Sequence, residues 1–124
     1  MTAANSRQID YLTSLQATVA ARPAKDWTTD RANVKDFVKQ TLFQTRWNAD
    51  ELDAQDRGHI ADVARAHAAH DWAAEEAAMK CAVTEHAQRM NAHQADVRDR
   101  YLTVDPATLT SAEASAAIDA LKGI

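Results

Sequence analysis

Chemistry in this chain, if it has any, would come from its histidines. His67 and His70 stand three apart, which puts both imidazoles on one side of a helix, and His86 and His93 stand a heptad apart. Two such pairs brought face to face would offer the nitrogen ligands of a tetrahedral zinc site. No close Cys/His spacing and no His-Glu-x-x-His or His-x-x-Glu-His run accompanies them, so the first expectation is a set of half-buried bundle histidines. If they are buried and neutral, protonation below about pH 6.5 loosens the fold.

The other reactive groups are placed for packing or solvation. Cys81 is alone and mid-helix, with Glu85 and not a histidine one turn on, which reads as a small buried hydrophobe. Ser14, Ser111 and Ser115 fall in helices or at caps, and Glu75-Glu76 reads as solvated helix surface. Two glycines cannot form a phosphate-cradling loop, and no pair of Glu-x-x-His motifs offers a di-metal site. No catalytic residue, cofactor or metal ligand is assigned, and the expectation is a protein that is not an enzyme.

One basic edge stands out. Arg31, Lys35 and Lys39 recur every four residues, the spacing of one helical edge that could meet DNA phosphates. The net charge of the whole chain is −4, which opposes a sequence-independent hold on nucleic acid. Trp27, Trp47 and Trp72 each stand near a helix start, as staples and core edges do, and any left exposed would be an anchor for a protein partner.

Helices position all of these groups. The 124 residues suit one domain, and no period-two alternation suggests a strand. Asn5 and Gln8 have the spacing of a capping box that opens a helix to about Ala21, with Ile9, Leu12, Leu15 and Val19 as its apolar stripe. A turn around Pro23 leads to a second helix with Thr28 or Thr29 as N-cap and a buried face of Val34, Phe37, Val38, Thr41 and Leu42. Asn48 and Glu51 form another box, and Trp47 and Leu52 a hydrophobic staple.

From Asn48 the helical pattern runs to about Leu102, with Gly58 inside it at a cost of about 1 kcal/mol. An unbroken rod would be roughly 80 Å long. Asp71, an acceptable N-cap, and a change of apolar register place a break at His70-Asp71-Trp72; a straight rod would instead dimerise. The stripe is Leu52, His59, Ile60, Val63, His67 before that point and Trp72, Met79, Val83, His86, Met90, His93, Val97, Tyr101 after it. The Met79–Tyr101 stretch steps by threes and fours, the seam of a bundle or of a homo-oligomer. Outward-facing i,i+4 pairs are Asp53 with Arg57, Glu76 with Lys80, Glu85 with Arg89 and Asp96 with Arg100. A last helix opens on the Thr110/Glu113 capping box, buries Ala114, Ala117, Ile118 and Leu121, and ends before Gly123.

The two ends, Arg7-Gln8-Ile9-x-Tyr11-Leu12-x-x-Leu15 and Leu109-Thr110-x-x-Glu113-Ala114-Ser115-x-x-Ile118-Asp119-x-Leu121, resemble a group of small bacterial and bacteriophage helical domains. In that group the opening and closing helices sit close in sequence, whereas here a long helical segment separates them. The resemblance implies that the termini pack together. It also implies association with phage and plasmid proteins that handle nucleic acid.

The expectation is thus an all-α bundle of about five helices with a long central helix or helical hairpin. It forms a single domain over 1–124, in which 5–21 and 109–122 are a terminal helical unit and 28–102 an insertion. Alanine-rich helices bury little apolar area per residue, so a macromolecular partner would help such a core. A single cysteine, the absence of a long apolar run and an N-terminus unlike a secretion signal point to the cytoplasm, not a membrane. The functional expectation is an accessory factor, phage-encoded and directed at a host protein such as a nucleic-acid-processing complex. The alternatives are a DNA-associated domain and a histidine metal site.

Overall fold

The computed structural model describes residues 2–124 and is all-α. The helices are α1 (Ser6–Ala21), α2 (Arg31–Gln44), α3 (Ala49–Ala54), α4 (His59–Ala68), α5 (Trp72–Tyr101) and α6 (Ser111–Lys122). Single 3-10 turns occur at Trp27–Thr29 and Pro106–Thr108. The described residues contain no strand, only one isolated bridge between Ala3 and Thr110. They form two compact units, one of residues 2–25 with Ala92–Ile124 and the other Asp26–Asn91, so α5 contributes to both.

In the terminal unit α1 packs on α6, as the ends of the sequence imply. Leu12, Val19, Val97, Ala117 and Leu121 form its core. Both capping boxes close as the spacing predicts, with Gln8 N–H donating to Asn5 Oδ1 at 2.8 Å and Glu113 N–H to Thr110 Oγ1 at 3.2 Å. Gln8 also joins the two helix starts: its amide donates to the Ser111 carbonyl and to Ser115 Oγ, each at 3.0 Å. Farther along α1, the Gln16 amide donates to the carbonyls of Tyr101 and Val104, which fixes the end of α5. Gly123 lies just past α6, but its φ of −83° makes no use of a missing Cβ.

The seam of α5 differs from the expected stripe at two positions. Trp72 and His93 are exposed, and Gln94 turns inward in place of His93. Gln94 is nearly buried because its amide meets both polar groups of one residue, accepting from Lys25 N–H at 3.2 Å and donating to the Lys25 carbonyl at 2.8 Å. A buried amide with both ends satisfied costs little and pins the chain after Pro23. Val83 and Val97 of the same seam are covered by the chain's own residues.

The Asp26–Asn91 unit gathers Val34, Val38, Leu42, Leu52, Ile60 and Val63 around the alanines of α4 and α5. Phe37 is the exception on the α2 face. It stays 45% exposed and lies flat against His86, with ring centroids 4.5 Å apart. Helix α2 also starts later than Thr28 or Thr29 would place it. Asp26 accepts from both the N–H and the hydroxyl of Thr28, which holds Trp27–Thr29 as a 3-10 turn ahead of the helix.

Two interruptions divide the stretch expected to be helical from Asn48 to Leu102. The one at His70-Asp71 falls where the N-cap signal puts it, and Asp71 Oδ1 accepts from Ala74 N–H at 3.1 Å. The other, at 55–58, corrects the expectation of a Gly58 within a helix. Gly58 has φ 53° and ψ −125°, a conformation that side chains disfavour, and a Cβ there would lie 2.1 Å from Glu85 Oε1. Because α3 stops at Ala54, Asp53 never meets Arg57 at helical spacing; it pairs with Arg65 of α4 instead. The other three i,i+4 pairs form as expected.

Candidate functional site

Helix α2 and the first three turns of α5 border a groove of about 430 Å³. Its position follows from the break before α5. Ala66 and His67 accept the N–H groups of Asp71 and His70, and His70 takes the left-handed conformation (φ 55°) that ends α4. Trp72 therefore becomes the first residue of a new helix instead of a buried position in a continuing one. Its indole is 58% exposed and meets the rings of His67 and His70 edge-on at 5.7 and 5.5 Å. Trp47, at the start of α3, stacks on the ring of His67 at 4.2 Å. Aromatic contact thus steadies Trp72 while much of its surface stays open.

Beyond Trp72 the α5 wall continues through Met79 and Val83, which give the groove an apolar floor. The opposite wall presents Arg31 and Lys35 from α2, and Lys39 follows one turn on. All three cations are exposed, and none forms a hydrogen bond or ion pair among the described residues. The carboxylates of the groove are differently placed. Glu75 is 21% exposed with its oxygens 3.4 Å from His67 Nδ1, and Glu76 lies 3.7 Å from Lys80. Glu75 is therefore no solvated surface acid. Among the lining side chains Arg31, Lys35 and Lys80 outnumber Glu75 and Glu76, so the groove is net positive by one charge.

The histidines do not converge. His67 belongs to the aromatic stack, His70 and His93 are exposed, and His86 is stacked on Phe37 with a buried Nε2 that has no partner among the described residues. Burial first, then the charges of Arg89 and Arg57, pushes the His86 pKa below the ordinary histidine value. His59 is exposed, with Nδ1 3.0 Å from Asp62 and Nε2 3.4 Å from Glu85. Among the described residues no three His, Cys, Asp or Glu side chains are arranged to hold a metal ion.

Cys81 is exposed, which corrects the expectation of a buried thiol. The α5 register turns Ala82 and Val83 inward and leaves Cys81 at a shallow hollow of about 380 Å³ shared with His59 and Glu85. No hydrogen bond links it to His59. Ser111 and Ser115 are engaged by Gln8. No helix of the described residues is long and apolar enough to cross a membrane.

Of the residues singled out by spacing, the structure brings Arg31, Lys35 and Trp72 to one groove. Met79 and Val83 were legible only as seam positions. That they line an opening depends on where the chain breaks, and the Asp71 cap was the signal for it. No family model matches the chain, and neither a curated protein nor a solved structure matches it.

Proposed function

We propose that this is a non-enzymatic protein that binds another protein through the α2–α5 groove and acts in the cytoplasm. One observation carries the reading: Trp72, 58% exposed, borders an apolar floor beside Arg31 and Lys35, which form no hydrogen bond or ion pair among the described residues. A large, half-open aromatic side chain flanked by arginine is the composition of an interface anchor. The likeness of the two ends to phage and bacterial domains favours a phage-encoded accessory factor directed at a host complex that processes nucleic acid. The net charge of −4 favours a protein over nucleic acid as the direct contact.

Affinity capture from a host extract tests this, with the full chain and its Trp72→Ala variant compared at matched fold content. One dominant protein retained by the wild type and lost by the variant is the expected result. Equal retention by both contradicts it.

The exposed row Arg31, Lys35 and Lys39 supports a second reading, a DNA-associated accessory domain. That reading expects duplex binding that falls steeply with salt and is abolished by reversing Lys35 and Lys39.

A further inference from the structure

The geometry points to a partner segment of defined chemistry: we propose that the groove takes a helix whose apolar ridge is flanked by carboxylates. This rests on the reading of the groove as the binding surface. Trp72 and Met79 lie seven residues apart on one side of α5, so the open part of the floor extends for about 10 Å, two helical turns, with the buried Val83 beneath its far end. That length suits an amphipathic helix laid along the groove with apolar anchors at each turn.

Charge decides the flank. Glu76 is paired with Lys80 and Glu75 lies against His67, whereas Arg31 and Lys35, one turn apart on α2, form no ion pair among the described residues. Carboxylates on one edge of the incoming helix would meet both cations. The remainder of the molecule is net negative, so the same carboxylates are disfavoured elsewhere on the surface, and the groove is selected against that background. A nucleic-acid strand fits less well, because Glu75 and Glu76 stand on the facing wall and would oppose a continuous phosphate backbone. A peptide can carry its charge on one side only.

The test is selection of a phage-displayed random peptide library, long enough for four helical turns, on the immobilised full chain at physiological ionic strength. Enriched peptides should carry aliphatic or aromatic residues at helical spacing with Asp or Glu along one edge. A synthetic peptide of that consensus should lose about tenfold or more in affinity on Arg31→Glu/Lys35→Glu, on Trp72→Ala, and on Glu→Gln replacement in the peptide itself. Retention of binding by Arg31→Lys/Lys35→Arg would show that charge, and not a particular side chain, is read.

A basic or absent consensus overturns the proposal, as does competition by a single-stranded oligonucleotide that needs no apolar anchor. Peptides sensitive to Trp72→Ala but indifferent to charge reversal would remove the acidic partner and leave the groove as the binding surface. Peptides indifferent to all the variants would remove both.

Discussion

The imidazole of His86 lies against Phe37 with Nε2 buried and unpartnered, so the folded protein holds it neutral more strongly than the unfolded chain does. As pH falls below about 6.5 the unfolded chain takes up the proton first, and stability present above that pH is lost toward the lower folded-state pKa. Urea denaturation at pH 7.5 and pH 5 should show a loss in the wild type that shrinks in His86→Phe, which keeps the ring stack. His59 and His67, each beside a carboxylate, are common to both proteins and cancel in the difference. Identical pH dependence in the two would contradict this account of His86. Gly58 carries a second local constraint. Gly58→Ala must hold an L side chain at φ 53° and displace Glu85 from Arg89 and His59, so it should cost about 2 kcal/mol by chemical denaturation. A neutral result would show that this turn relaxes freely. Composition marked Gly58 as a weakness within a helix and missed its use as a turn, because its positive φ follows from the end of α3 at Ala54, which no local signal marks.

Helix ends in the Asp26–Asn91 unit share one construction. Trp47, Arg57 and Asp71 each donate N–H to a carbonyl five residues back, while Arg46, Asp56 and His70 before them adopt φ of 52–55°. These are Schellman closures with non-glycine residues in the left-handed position. That explains which boundaries could be read in advance. Starts at Asn5, Asn48, Asp71 and Thr110 were legible because capping side chains act locally. The end of α3 was not, because an Asp at the closing position looks no different from a helix-surface Asp. The burial pattern of α2 was legible except for Phe37, whose place is decided by His86 on another helix. Since Arg46 forms no side-chain hydrogen bond among the described residues, Arg46→Gly should relieve the left-handed strain and raise stability by about 0.5–1 kcal/mol. A melting temperature unchanged or lowered in Arg46→Gly would contradict the strain assigned to that closure.

For the molecule as a whole, the meeting of α1 and α6 was written in two apolar stripes and two capping boxes, and Gln8 adds a direct tie between them. The division at about residue 25 and residue 91 was not, since α5 continues through it without a breaker. The groove was half legible: its cations and tryptophan were visible as spacing, and their meeting depended on the break before α5. On the proposed reading the partner is recognised at that groove and not at the terminal unit, where Tyr11 is also exposed, at 46%. Site-specific photo-cross-linking distinguishes the two, with p-benzoylphenylalanine placed at Trp72 in one protein and at Tyr11 in another, each irradiated in host extract. A single cross-linked product from position 72, diminished by Arg31→Glu/Lys35→Glu and absent from position 11, is the predicted result. The same product from position 11 alone would contradict it.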